Sequence, residues 1–138
     1  MQTEILVSEF CKNFDRLKHR KIVIYGIGPY TKEILENATD FQFVGLLSNE
    51  ATDIGKKYYG QKVLALEEVL DLNPILVIVA RNELEQIILN EIKFLNEKYR
   101  IEIFFKDGLV AKLIPACHPH KSWNVNENEL LEMINEYD

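Results

Sequence analysis

Apolar and polar positions alternate in two distinct rhythms along the chain. Residues 3–17 place Leu6, Phe10, Phe14 and Leu17 at three- and four-residue steps, the spacing that gathers apolar side chains on one side of a helix. Residues 22–26 are continuously apolar up to a glycine, which predicts a strand buried on both faces, as in a parallel sheet. Ile34, Leu35 and Ala38 then give a second helix one apolar side, and residues 41–47 (FQFVGLL) predict a second strand. Residues 62–65 read as a short extended piece, residues 66–70 as a helical turn or two, and residues 75–80 (ILVIVA) as a third buried strand. Asn82 with Glu85 has the form of a capping box, Asn standing in for Ser or Thr. It opens a helix with Leu84, Ile88, Ile92, Leu95 and Tyr99 on one stripe, and residues 101–105 supply a fourth strand. Strands alternating with helices predict a parallel sheet with right-handed crossovers.

The last third changes character. Residues 106–125 show no sustained period, and Pro115 and Pro119 flank the cluster Cys117, His118 and His120 in a loop-like stretch. Asn126 and Glu129 form another capping-box-like start ahead of Leu130, Leu131, Met133 and Ile134, predicting a C-terminal helix.

The join between the first strand and its helix carries the clearest chemistry. Gly26 permits a tight bend, Gly28 lets a ligand approach the backbone, and Pro29 fits a first helical position, where no amide hydrogen is needed. Unpaired amides at such a helix start attract phosphate. Thr31 stands where the third glycine of a GxGxxG pattern would be, so the motif is incomplete. Arg81 follows the third strand directly, at the sheet edge where open α/β folds bind ligands, and its guanidinium could pair with a phosphate or simply be solvated. Lys32 in the first turn opposes the helix dipole and reads as an exposed lysine.

At 138 residues, 47% hydrophobic and 28% charged, the chain fits one globular domain with a proper core. A formal charge of −6 argues against a nucleic-acid surface. The longest apolar run is too short to span a bilayer, and the N-terminus lacks a basic flank with an apolar centre, so a cytoplasmic location without membrane contact is expected. Cys11 and Cys117 are expected to be free thiols. Cys117, His118 and His120, with Cys11 or His19 as distant completions, lack the spacing of a metal site, and no metal or catalytic set is expected. Tyr58 and Lys62 match a YxxxK pair only by accident, because Gly60 interrupts them, and Tyr58, Tyr59, Phe104, Phe105 and Trp123 read as packing residues.

The segments KIVIYGIGPYTKEILEN, FVGLLSN, YYGQKVLALEEVL and ILVIVA together resemble the small Rossmann-like domain at the N-terminus of bacterial sugar O- and N-acyltransferases and related surface-polysaccharide enzymes. The resemblance covers residues 20–105. It implies an α/β, Rossmann-like three-layer fold with a mostly parallel sheet of four or five strands, flanked by N- and C-terminal helices. It also implies a nucleotide or nucleotide-sugar ligand, with catalysis lying in another domain. By position Gly26, Ile27, Gly28, Pro29 and Tyr30 would line the phosphate end, and Ser48, Asn49 and Glu50 the ribose or base end. An NAD(P) site normally carries an acidic residue about twenty residues past the glycines; here Ser48 and Asn49 occupy that strand end, with Glu50 just beyond. The closing segment ELLEMINEYD resembles the helix leading into haloacid-dehalogenase-like hydrolases of some polysaccharide loci, whose nucleophilic Asp motif is absent from these residues.

The expected organisation is an N-terminal helix over residues 1–18, a nucleotide-binding domain over 19–106, and a loop and helix over 107–138 leading towards a catalytic domain. Three functions follow: a noncatalytic nucleotide or nucleotide-sugar module, an NAD(P)-dependent oxidoreductase or epimerase fragment, and a degenerate domain acting in oligomerisation, with the terminal helices as a homodimer interface.

Overall fold

The computed structural model describes residues 2–112. Helix α1 (Gln2–Phe14) runs into a 3-10 turn at Asp15–Leu17, followed by β1 (Lys21–Tyr25), α2 (Pro29–Asn37) and β2 (Gln42–Leu47). A 3-10 turn at Ala51–Asp53 precedes a small hairpin, β3 (Lys57–Tyr58) and β4 (Gln61–Lys62). Then come α3 (Leu66–Leu72), β5 (Ile75–Ile78), α4 (Asn82–Ile92), α5 (Phe94–Tyr99) and β6 (Ile103–Phe105).

Four strands form one parallel sheet in the order β2-β1-β5-β6. Val63, just past β4, adds a parallel bridge to Leu46, so the chain touches the outer edge of β2 without building a full fifth strand there. The two-residue period of a strand sorts the core. Ile22, Ile24, Ile75 and Val77 pack on one face with Phe10 and Phe14 of α1 and Ile34 of α2. Val23, Leu76 and Ile78 pack on the other with Val69 of α3, Leu89 and Ile92 of α4, and Leu95 of α5. This is an α/β, Rossmann-like three-layer fold: the parallel sheet follows the alternation of runs, and the three layers follow what the resemblance implies.

Three details depart from the sequence reading. Asn82 and Glu85 do not form a capping box: Arg81 is the cap residue, with no side-chain cap bond. Both side chains are taken instead by Lys106, whose Nζ donates to Asn82 Oδ1 at 2.6 Å and to Glu85 Oε2 at 3.1 Å. An ammonium with little access to water outcompetes a backbone amide for those oxygens. At the start of α3 only half of such a box forms: the Ala65 amide donates to Glu68 Oε1 at 3.1 Å, while the Ala65 methyl offers no acceptor in return. The long stripe of residues 84–99 is divided at Lys93 into α4 and α5. The β3–β4 hairpin, with a left-handed Tyr59 (φ 54°) and Gly60 (φ 83°) at its tip, forms ahead of and at the start of the residues 62–65 that the sequence reads as an extended piece, and the sequence reading has no counterpart for it.

Beyond β6 the chain turns at Gly108 and returns alongside, Val110 bridging antiparallel to Phe104. The expected C-terminal helix and the cluster of Cys117, His118 and His120 lie outside the described residues.

Topology places the open crevice. The helix after β1 crosses one face of the sheet and the helix after β5 crosses the other, so the chain diverges between the carboxyl ends of β1 and β5. In open α/β sheets such a switch point is where ligands bind.

Candidate functional site

The crevice is built around the turn from β1 to α2. Gly26 has φ +126°, and a Cβ there would stand 2.6 Å from the Val79 carbonyl oxygen, so glycine is required both by conformation and by the approach of β5. Its amide donates to Leu47 O at 3.1 Å, while Val79 N donates to Tyr25 O at 3.0 Å, tying the turn between β2 and β5. Gly28 differs: its backbone is extended (φ −84°, ψ −173°), and nothing lies within 4 Å of where a Cβ would point. It caps α2, and Pro29 takes the first helical position. Open space over a cap glycine is what an approaching ligand needs.

Every carbonyl of the turn is already occupied. Thr31, fully buried, donates its hydroxyl to Gly26 O at 3.1 Å. Tyr59 reaches across from the hairpin and donates to Ile27 O at 2.7 Å, and Lys32 N donates to Gly28 O at 3.2 Å. The amides of Tyr30 and Thr31 have no acceptor within the helix, because first-turn amides never do. The turn therefore offers first-turn amide hydrogens while each of its carbonyls already has a donor, a polarity that favours an anion. Thr31 explains the incomplete motif: its hydroxyl replaces the close packing of a third glycine with a hydrogen bond.

Two connected spaces open from this turn. A cleft of about 320 Å³ lies between the start of α2 (Gly28, Pro29, Tyr30) and the end of β5 (Val79, Ala80, Arg81). Sharing Tyr30 and Arg81 with it, a groove of about 540 Å³ continues between α1 and the β6 end, past Leu6, Glu9, Asn13 and Asp107. Gly28, Pro29, Tyr30 and Arg81 are thus brought together. Gly26 and Ile27 sit behind them as the frame of the turn.

Ser48, Asn49 and Glu50 line neither space. Ser48 Oγ donates to Asp53 Oδ2 at 2.7 Å and accepts from Glu50 N at 3.1 Å, while Asn49 and Glu50 point to solvent. Asp53, nearly buried, also accepts from Tyr58 OH at 3.1 Å and pairs with Lys56 at 3.6 Å. The Ser48 bond above all, then Tyr58 and Lys56, hold its carboxyl below the ordinary 3.8. Asp53, the next carboxylate after Glu50, is spent on fixing its own loop.

Two cations stand at these spaces, Arg81 in both and Lys106 in the groove. Arg81 is well exposed, with Nε 3.4 Å from Glu83 Oε1, a solvated pair that leaves the guanidinium available. Lys106 is held between Ala80 O at 2.6 Å, Asn82 and Glu85, so it fastens β6 to the start of α4. Tyr25, just ahead of the turn, faces the opposite core, where burial pushes its phenol up to about 12. Sequence reasoning missed Tyr59, Lys106 and Asp53, whose partners are 32, 21 to 26 and 5 residues away respectively, and only the Ser48-to-Asp53 spacing offered a local signal. No group of three or more His, Cys, Asp or Glu among the described residues could hold a metal ion. No helix among them is long and apolar enough to cross a membrane.

No protein-family model matches the chain, and no curated protein matches it. Among solved structures it is similar to UDP-D-quinovosamine 4-dehydrogenase from Vibrio fischeri, at 12% identity over 74% of this chain and 85% of that one, with a TM-score of 0.45. It is also similar to RSP, a Rex-family repressor, at 17% identity over 96% of this chain and 71% of that one, TM-score 0.47. The same repressor in complex with β-NADH aligns at 16% identity over 92% of this chain and 71% of that one, TM-score 0.46.

Proposed function

We propose that the chain is a binding module that holds a nucleotide or nucleotide-sugar at the turn after β1 and supplies it to chemistry carried out elsewhere, in a larger bacterial carbohydrate or surface-polysaccharide enzyme. The observation that carries this reading is the turn itself: its carbonyls each have a donor, its helix start lines a cleft at the switch point of the sheet through Gly28, Pro29 and Tyr30, and Arg81 lines the same cleft. The same cleft offers little for catalysis. Arg81 is a fixed charge, and the ammonium of Lys106 is surrounded by three acceptors.

Within this reading residues 19–106 form the binding domain, α1 closes one face of it, and residues 107–138 lead towards a partner domain. The carbohydrate context rests on the sequence resemblance. The test is a thermal-shift series with UMP, UDP-glucose, NAD and CoA. A ligand bound only by the folded state, at a hundred times its Kd, stabilises by about 2.7 kcal/mol and raises Tm by several degrees. A rise with a nucleotide that disappears in Gly28→Val supports the module; no rise with any of the four removes it.

A further inference from the structure

The two sides of the glycine turn are not equivalent. On the β2 side the β3–β4 hairpin leans over from the sheet edge, and the Tyr59 hydroxyl is bonded to Ile27 O at 2.7 Å. On the same side Ser48 and Asp53 are committed to each other, and neither Asn49 nor Glu50 reaches the cleft. On the β5 side the cleft is open and runs into the larger groove, which carries polar side chains from three elements: Glu9 and Asn13 of α1, Tyr30 of α2, and Asp107 after β6.

A ligand with a pyrophosphate at its middle, such as NAD or a nucleotide-sugar, needs room for an arm on each side of the turn. A ligand with a terminal phosphate needs room on one. We propose that Tyr59 is a specificity-determining residue which closes the β2 side, so that the site takes a single-armed, hydroxylated phosphate ester, a nucleoside or sugar phosphate. Its phosphate meets the turn and Arg81, and its arm lies in the groove, where the carboxylates of Glu9 and Asp107 accept hydrogen bonds from hydroxyls. This rests on the reading of the turn as a phosphate site: it keeps the phosphate there and removes the second arm.

The test uses the full 138-residue chain labelled with nitrogen-15 and titrated with UMP, glucose 1-phosphate, UDP-glucose and NAD. Expected are amide shifts at Gly28, Tyr30, Arg81, Glu9 and Asn13 with UMP or glucose 1-phosphate, little change at residues 48–50, and at least tenfold weaker binding of NAD. In Tyr59→Ala the NAD disadvantage should shrink and its shifts should spread to residues 48–50. Tyr59→Phe, which keeps the ring and loses the bond to Ile27, should move part of the way. Equal affinity for UMP and NAD in the unaltered chain, or NAD shifts at residues 48–50 there, would overturn the inference while leaving the module standing. So would a Tyr59→Ala variant with unchanged preference. Absence of shifts at Gly28 and Tyr30 with every probe sinks the module reading and the inference together.

Discussion

Two glycines separated by one residue do different work. Gly26 is a structural requirement, since any side chain there meets the Val79 carbonyl and a disfavoured φ. Gly26→Ala should therefore cost about 2–4 kcal/mol, measured by urea unfolding, the sum of backbone strain and a displaced β5 end. Gly28→Val should leave stability within about 1 kcal/mol, because its φ suits any residue and the Cβ enters open space, while ligand binding is lost. Thr31→Val keeps the volume of a fully buried side chain but leaves Gly26 O without its donor. A loss of about 1–3 kcal/mol by the same measurement is expected.

At the scale of elements, the segment between β2 and α3 is held by polar bonds. Asp53 gathers Ser48, Lys56 and Tyr58, and Tyr59 then fixes the hairpin tip to the turn. The folded-state pKa of Asp53 lies below its ordinary 3.8. Its contribution to stability is thus present above about pH 4 and is lost as pH falls through the lowered value. Asp53→Asn should be less stable than the parent at pH 7, and its stability should fall less steeply between about pH 5 and pH 2, as read by denaturant unfolding at each pH. A parallel acid limb in the two proteins would mean that Asp53 is not the group responsible. The corrected capping box teaches the same lesson: Asn82 and Glu85 have the right spacing, yet Lys106, just past β6, takes both oxygens.

For the whole molecule, α1 is the element whose place could not be read locally. Its periodicity announced a helix with one apolar side, and the structure sets that side against the sheet and α2: Phe10 and Phe14 are fully buried, their rings 4.5 Å apart, with Phe104 of β6 5.9 Å from Phe14. Phe14→Ala should cost about 3–5 kcal/mol, measured by urea unfolding, because the ring is shared between layers and the cavity left cannot collapse on both. Removing residues 1–18 should leave residues 19–138 unable to show cooperative unfolding, since one face of the sheet would be bared.

The sequence by itself determined the elements and the glycine turn. Continuous apolar runs, helical periods and a Gly-x-Gly-Pro step are local signals, set by backbone sterics and by the burial of one side of each element. They sufficed for an alternating α/β fold and for Gly28, Pro29, Tyr30 and Arg81 as neighbours at one sheet edge. Only the tertiary structure decided which polar side chains remain available to a ligand. Ser48 is spent on Asp53, Lys106 on Glu85, and Tyr59 on a carbonyl 32 residues away. The physical reason is that a hydrogen-bonding group of limited capacity goes to whichever partner the fold brings within 3 Å or so, and spacing along the chain does not reveal that competition.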